Sequence, residues 1–219
     1  MLRFGLLGSG SSGNATLVLS PSTKILIDAG FSLRQLKQRA AAIGETLDGL
    51  DAVFVTHEHI DHVTGLGVLG RAQKMPVYMT ERTFEALPRK VGEIAGVEFF
   101  EAGDRIEIGD LEITSFSVSH DAADPVSYTV GLGTAKLGFA ADLGHPSHLV
   151  RSSLEGCHAL VIESNYCPDL LRNGDYPPQL QQRIRGRQGH LSNQDMTTLL
   201  NSLLHDGLRT VVLNHISEN

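Results

Sequence analysis

The stretch VTHEHIDHVTG, residues Val55–Gly65, places three histidines and an aspartate within six positions: His57, His59, Asp61 and His62. His57 and His59 are two residues apart, so an extended chain directs both side chains to the same side. Asp61 and His62 follow where the chain must turn into a helix. Imidazole and carboxylate ligands together favour Zn, Mn or Fe over Ca or Mg. This spread of ligands suits two adjacent metal ions better than one.

Four ligand-type residues do not complete two metal sites, and candidates for the remainder lie at the ends of other apolar runs. His120 ends ITSFSVSH, Asp142 ends LGFAAD, His215 ends TVVLNH and Asp28 ends KILID. With His57 after AVFVT, five separate predicted strands deliver a ligand-type residue at their C-terminal ends. A packed sheet that aligns those ends would bring the five residues to one edge.

Short apolar runs closed by turn residues predict twelve strands along the chain. The predicted strands are Arg3–Leu7, Thr16–Leu19, Lys24–Ile27, Ala52–Val55, Val77–Met79, Val97–Phe99, Arg105–Ile108, Leu111–Val118, Tyr128–Leu132, Lys136–Ala140, Ala159–Ile162 and Thr210–Leu213. Helical periodicity predicts helices over Ser32–Ala42 (with Ser32 as N-cap), Leu66–Gln73, Thr80–Leu87 and Asn193–His205. Strands outnumber helices and the early strands follow one another as hairpins. This order favours an α/β fold with mixed sheets packed face to face and helices outside, rather than a doubly wound parallel sheet.

The glycine-rich stretch Gly8–Gly13 matches the pattern G-x-G-x-x-G and follows a predicted strand. A dinucleotide site requires a helix next, so that the helix N-terminus faces the pyrophosphate. Here NATLVLS follows, and its composition predicts a strand. The stretch is therefore expected to be a turn between strands, which could still line a site because glycine lets a substrate approach the backbone closely.

Length and composition indicate one ordinary globular domain over residues 1–219, with 41% hydrophobic and 20% charged residues. No tract approaches eighteen apolar residues and no secretory signal is evident, so the expected location is the cytoplasm. The two cysteines, Cys157 and Cys167, are expected to be reduced thiols. A net charge of −7 argues against a generic basic nucleic-acid binder. It does not exclude a nucleic-acid enzyme, because bound divalent metals would cancel charge locally.

Taken in order along the chain, the candidate ligands resemble the motif set of the metallo-β-lactamase superfamily. The resemblance implies an αββα four-layer sandwich with a dinuclear metal site along one edge. It assigns His57, His59 and His120 to the first metal. It assigns Asp61, His62 and His215 to the second metal, with Asp142 bridging the two. Asp28 would orient the loop or a ligand imidazole.

Further stretches resemble a small bacterial branch of that superfamily, the WalJ/YycJ group, which is associated with 5′-to-3′ exonuclease activity on DNA. They are GSGSSGN, SHDAADP, ADLGH, ESNY, GHLSN and HISEN. Two departures stand out. Cys167 follows Asn165 and Tyr166 where an acidic residue is expected. The chain also stops inside the last motif, at Asn219, which leaves open that the fold lacks its C-terminal strand and helix.

Two metals about 3.5–4 Å apart can bind a bridging hydroxide and lower its pKa toward neutrality. Asp61 is expected both to bind metal and to accept a hydrogen bond from this nucleophile, which makes it a candidate catalytic residue. His190 in GHLSN is a candidate proton donor or phosphate contact; the alternative is a residue that only packs beside an N-cap. Arg183, Arg185 and Arg187 are predicted substrate contacts because arginine binds phosphate bidentately, and the alternative is a solvated helix face.

These observations favour a cytoplasmic hydrolase with two divalent metal ions, Zn or Mn, that cleaves phosphodiester bonds in nucleic acid. DNA is the favoured substrate, an exonuclease the favoured activity, and Asn165 a further expected substrate contact. A hydrolase of small esters, thioesters or lactones would use the same metal site. A non-catalytic, metal-dependent regulatory protein is a third alternative. No feature of the sequence indicates a membrane partner or an oligomeric state.

Overall fold

A computed structural model describes residues 1–217, which form two compact units. The first unit comprises Met1–Ile113 and Ala122–Asp124, and the second comprises Thr114–Asp121 and residues 125–217. The last two residues of the HISEN motif, Glu218 and Asn219, lie outside the described residues. The expectation that the fold lacks its C-terminal strand and helix concerns the same end of the chain, so it also falls outside the described residues.

The first sheet is built from the first six strands in sequence order. β1 (Arg3–Gly8), β2 (Ala15–Leu19) and β3 (Lys24–Ile27) pair antiparallel. β4 (Ala52–Phe54), β5 (Val77–Met79) and β6 (Val97–Phe99) then extend the sheet in parallel. The connections carry the helices α1 (Leu33–Ala42), α2 (Ile60–Val63), α3 (Leu66–Gln73) and α4 (Glu81–Glu85), and a 3₁₀ turn at Arg89–Val91.

The first unit is held by apolar strands against the buried faces of α1 and α3. Every residue of β2 is buried, as are the three apolar residues of β3. Leu36 of α1 and Leu69 of α3 are fully buried in the same cluster as Leu17 and Leu26. Each such side chain stabilises the fold by roughly 1.5–3 kcal/mol. Ser32 caps α1 through a capping box with Gln35, which fixes where the helix starts.

The second sheet contains the remaining six strands in the order β12-β11-β10-β9-β8-β7. They are β7 (Arg105–Ile108), β8 (Leu111–Ser117), β9 (Val126–Leu132), β10 (Ala135–Ala140), β11 (Ala159–Glu163) and β12 (Thr210–Asn214). The boundary between the two units falls within β8. β9 and β10 pair antiparallel, whereas β10, β11 and β12 are parallel.

The connections between β10 and β11 and between β11 and β12 carry four helices. They are α5 (His148–Leu154), α6 (Pro168–Asn173), α7 (Pro178–Ile184) and α8 (Asn193–Leu203). Val150 of α5 and Leu199 of α8 share a buried cluster with Leu160 and Ile162 of β11. No helix formed by residues 1–217 is long and apolar enough to cross a membrane.

The predicted α/β fold with two mixed sheets and flanking helices is confirmed. Each predicted strand is present, with ends that differ by at most two residues. Helix α3 has the predicted bounds. Helix α1 starts one residue later than predicted, and α8 ends two residues earlier than predicted, at Leu203. The sequence did not predict α2, α5, α6 or α7. The assignment of residues 1–219 to a single domain stays a prediction.

Candidate metal centre

The HEHIDH segment of the first unit follows β4 directly and leads into α2. His57 and His62 are 1% and 0% exposed, whereas His59 and Asp61 are partly exposed. The rings of His57 and His62 lie 4.1 Å apart between centroids, and those of His57 and His59 lie 4.5 Å apart. Three imidazoles are thus gathered at one strand end.

Asp28 organises this segment from the end of β3. Its carboxylate accepts hydrogen bonds from the Thr56 backbone N–H at 2.8 Å and from Nδ1 of His62 at 2.8 Å. The Thr56 hydroxyl donates to the same carboxylate at 2.9 Å, so its oxygen can accept from Nδ1 of His57, 3.0 Å away. These contacts favour the Nδ1–H tautomer of both rings, in which Nε2 carries the lone pair that a metal ion would need.

Asn14 holds the other side of the segment. Its Nδ2 donates to the Asp61 carboxylate at 3.1 Å and lies 2.9 Å from Nε2 of His62. Gly30, in the loop after β3, lets that loop cross the HEHIDH segment, because a Cβ at this position would lie 1.7 Å from the Asp61 carbonyl oxygen. The backbone N–H of Asn14 donates to that same carbonyl at 2.7 Å. Asp61 is thereby fixed from both its backbone and its side chain.

In the second unit, Asp142, His120 and His215 follow β10, β8 and β12, and all three are at least 95% buried. Oδ1 of Asp142 lies 3.3 Å from Nε2 of His215 and 4.0 Å from Nε2 of His120. Nδ1 of His120 donates to the Gly189 carbonyl at 3.0 Å. As in the first unit, an Nδ1 bond to the protein leaves Nε2 as the donor atom.

Glu163, at the end of β11, is the residue around which this part of the second unit is arranged. It is fully buried and accepts from the backbone N–H groups of Leu143 at 2.5 Å and Leu191 at 3.1 Å. Its other oxygen lies 2.7 Å from Nδ1 of His190 and 3.4 Å from Nδ1 of His215. One carboxylate therefore fixes two loops and two imidazole rings.

Charge and burial oppose one another at the Glu163–His190 pair. Burial would raise the pKa of Glu163, but hydrogen bonds from His190 and His215 and the charge of His190 lower this pKa below its usual value. Burial would lower the pKa of His190, but the hydrogen bond to Glu163 and the charges of Glu163 and Asp142 raise it above its usual value. The pair therefore favours a carboxylate facing an imidazolium.

The donor atoms of both units fit divalent metals with a preference for nitrogen and oxygen ligands. In the second unit, Asp142 and His215 place ligand atoms within 4.8 Å of one another, beside the Glu163–His190 pair. In the first unit, buried imidazoles with oriented Nε2 atoms adjoin the Asp61 carboxylate. Imidazole with carboxylate suits Zn and Mn better than Ca or Mg.

The predicted substrate arginines do not form one surface. Arg183 and Arg187 line an open groove together with Asp121, and Nε of Arg183 lies 2.6 Å from the Asp121 carboxylate. Arg185 lines a separate small cavity with Arg172 and Gln181. Asn165 donates from Nδ2 to the His215 carbonyl at 2.7 Å, so this predicted contact lies beside a candidate ligand.

Several residues of the site were not singled out from the sequence. Glu163 ends β11, and its position at a strand end is the same signal that identified Asp28. Thr56 and Asn14 act only through contacts between distant segments. Asp121 pairs with Arg183 across 62 positions. No local pattern marks such pairings.

A model of the Beta-lactamase superfamily domain matches residues 23–216. The Exodeoxyribonuclease YycJ of Bacillus anthracis is 36% identical over 218 residues, covering 99% of this chain and 83% of the relative. The Exodeoxyribonuclease WalJ of Streptococcus pneumoniae is 34% identical over 220 residues, covering 99% and 82%. Among solved structures, Zn(2+)-bound PqqB from Methylobacterium extorquens superposes with a TM-score of 0.77 at 18% identity, covering 99% of this chain and 89% of that one.

The fold is that of the solved structure, the matched region contains every candidate ligand, and identity to the two relatives extends over nearly the whole chain. The chain therefore belongs to the metallo-β-lactamase superfamily of metal-dependent hydrolases.

Proposed function

We propose that this protein is a metal-dependent phosphodiesterase that degrades DNA from an end. The observation that carries the proposal is the 36% identity, over 99% of this chain, to a protein named exodeoxyribonuclease. The donor atoms held at the strand ends of each unit support the metal-dependent part of the proposal.

Two divalent ions, Zn or Mn, are proposed as cofactors, with ligands drawn from both units in the order typical of the superfamily. His57, His59 and His120 would hold one ion. Asp61, His62 and His215 would hold the other, and Asp142 would bridge them. Bound there, such ions supply a bridging hydroxide of lowered pKa and neutralise negative charge on the phosphate.

Two side chains of the protein are proposed to handle protons. Asp61, fixed by Asn14 at 3.1 Å, would accept the hydrogen bond that orients the attacking hydroxide. His190 would donate a proton to the leaving oxygen. Its Nδ1 is held 2.7 Å from Glu163, so the ring presents Nε2 as the second N–H donor of the imidazolium. General acid catalysis of this kind contributes roughly 10²–10⁴-fold.

The groove lined by Arg183 and Arg187 is the proposed contact for the DNA backbone. Both guanidinium groups lie on the surface that also contains Gly189, whose carbonyl accepts from His120. Arginine binds phosphate oxygens in a bidentate geometry. Asp121 keeps Arg183 in place while cancelling part of its charge, which suits a protein of net charge −7 that binds DNA at one place.

The proposal is tested by metal analysis together with digestion of end-labelled single- and double-stranded DNA and RNA. We expect bound Zn or Mn, stepwise shortening of DNA from one end, and loss of this activity in Asp61→Ala, which also controls for contaminating nucleases. Replacing Arg183 and Arg187 by Ala should raise KM for DNA without removing metal. Hydrolysis of small esters or lactones but of no nucleic acid would overturn the nuclease proposal.

A further inference from the structure

A further cavity lies in the second unit beside Asn165. Its volume is about 190 Å³, below the range of roughly 300–1,000 Å³ typical of drug-sized ligands. A cavity of this size suits a fragment such as one planar ring system rather than a whole nucleotide. Its walls combine the aromatic rings of Tyr166 and Tyr176 with the aliphatic side chains of Leu171 and Ile184.

Acceptor groups lie among the residues of this cavity, together with hydroxyl groups of Tyr166, Tyr176 and Ser217 that can donate as well as accept. Asp175 contributes an exposed carboxylate. Asn165 directs its Nδ2 group to His215, so the polar atom that it can offer to a ligand is the acceptor Oδ1. Every nucleobase carries N–H donors on its edge and an apolar π-face. An aromatic and aliphatic slot with acceptors at its rim therefore matches a base of any identity.

The position of the cavity links it to the proposed chemistry. The Asn165 side chain that lines the cavity also lies 3.0 Å from Nδ1 of His215, a proposed metal ligand. One residue thus separates a bound base from the metal-binding histidine. A base held here would lie on the Nδ1 side of His215, across the ring from Nε2, so the phosphate that reaches the proposed metals would be one further along the strand.

The aromatic wall is fixed before any ligand binds. Gln181 of α7 donates from Nε2 to the Tyr176 carbonyl at 2.9 Å, which holds the loop between α6 and α7. Tyr166 is 9% exposed, and its backbone carbonyl accepts from Asn193 N–H at 2.9 Å. A slot whose walls are held in this way loses little conformational freedom on binding.

We propose that this cavity, lined by Tyr166 and Tyr176, binds the base of the terminal nucleotide of the DNA strand. The inference rests on the proposed nuclease function and deepens it. A pocket for one unpaired end base explains degradation from an end, because a base within a duplex is stacked and does not reach such a slot.

The test compares two single-stranded DNA substrates that differ only in the terminal nucleotide at the end being degraded, one with a base and one with an abasic analogue. Stacking of a base on an aromatic side chain is worth roughly tenfold to a hundredfold in affinity. We expect the wild-type kcat/KM to fall about tenfold or more on the abasic substrate. In Tyr176→Ala the ratio between the substrates should approach one, and Tyr176→Phe, which keeps the ring, should retain the preference.

Leu204→Ala is the matched control, since Leu204 is 61% exposed and is not among the residues of the cavity; it should keep the wild-type ratio. Equal cleavage of the two substrates by the wild-type protein would overturn this inference while leaving the nuclease function intact. Absence of cleavage of any nucleic acid would overturn both. Because the two substrates are compared with the wild-type protein, the inference remains testable even if Tyr176→Ala does not fold.

Discussion

At the level of single residues, the most informative feature is backbone strain at strand ends. Among residues 1–217, four non-glycine residues have positive φ: Asp28 (61°), Lys74 (54°), Asp142 (50°) and His215 (53°). Lys74 ends α3, whereas the other three follow β3, β10 and β12. A left-handed conformation costs a non-glycine residue about 1–2 kcal/mol. Three of these strained residues belong to the candidate centre, and backbone strain is typical of functional positions.

Replacing Asp28 tests whether it orients the imidazoles. Asp28→Asn keeps the size but turns one acceptor oxygen into a donor that faces N–H or O–H groups of Thr56 and His62. Metal affinity should fall roughly 10- to 100-fold, measured by competition with a chelating dye. Asp48→Asn is the control, because the Asp48 side chain is 78% exposed. A lowered melting temperature with unchanged metal affinity would show that Asp28 has only a structural role.

Glu163→Gln tests the positioning of His190. The amide no longer stabilises the imidazolium, so kcat on DNA should fall by about 10²-fold or more while KM changes little. The loss should be much smaller on bis(p-nitrophenyl) phosphate, because p-nitrophenolate leaves without a proton. His190→Ala should show the same dependence on the leaving group. An equal loss on both substrates would mean that Glu163 only maintains the fold.

At the level of elements, the sequence predicted strands better than short helices. Each strand is a compact apolar run with turn residues on both sides, and burial of its side chains follows from that run alone. α2 has four residues and begins at Ile60 inside the ligand cluster, where His, Asp and Ile show no helical stripe. α6 and α7 both start at a proline and have at most one buried residue each. Their position depends on the loops that they follow, which no local pattern encodes.

The crossing of the loops after β3 and β4 at Gly30 predicts that a larger residue there destabilises the first unit. In Gly30→Ala the added methyl group would meet backbone 1.7 Å away at Asp61, so the loops must separate. Overpacking of this kind costs about 1–3 kcal/mol, or roughly 2–12 °C in melting temperature for a chain of this length. DNA cleavage should fall too, because Asp61 moves.

Gly70→Ala is the matched control for the crossing, since it makes the same change in the same unit. Its added methyl group meets side chains and backbone only at 3.8 Å or more, inside α3. Alanine is favoured over glycine in a helix by up to about 1 kcal/mol. The melting temperature should stay the same or rise slightly. An equal decrease in both variants would contradict the steric argument.

The packing of α5 against β11 gives a second prediction at this scale. Cys157 lies between these elements, 1% exposed, and burial raises the pKa of its thiol to about 11 despite the nearby charge of Lys136. Since the thiolate is the reactive form, Cys157 should resist Ellman's reagent at pH 8 in the folded protein. Cys167, which is partly exposed, should react. Cys167→Ser should leave no reactive thiol until denaturant is added, and rapid reaction of this variant would contradict the buried position.

At the level of the whole molecule, the sequence predicted the order of the candidate ligands and the fold, but not the network around them. Each of these residues follows an apolar run, so the sequence alone placed Asp28, His57, His120, Asp142 and His215 at strand ends. The contacts of Asn14 with Asp61, and of Glu163 with His190, join segments 47 and 27 positions apart. Such pairs arise from the register of the sheets and the path of the loops, which only the folded chain specifies.

The division of the proposed ligands between the two units gives a prediction for the whole molecule. His57, His59, Asp61 and His62 belong to the first unit, and His120, Asp142 and His215 to the second. A metal at 100 times its Kd stabilises the native state by about 2.7 kcal/mol, so Zn should raise the melting temperature by roughly 5–11 °C. Since the ions would take ligands from both units, they should also make the two units unfold together.

Calorimetry distinguishes this coupling from metal binding within one unit. The metal-free protein supplies the reference ratio of the calorimetric to the van't Hoff enthalpy of unfolding, which exceeds one where two units unfold in separate transitions. With Zn bound, the two enthalpies should approach each other. His59→Ala removes one proposed ligand and should reduce both the thermal shift and the change in enthalpy ratio. A Zn-dependent rise in melting temperature with an unchanged ratio would place all the ligands of the bound ion in a single unit, against the proposed assignment.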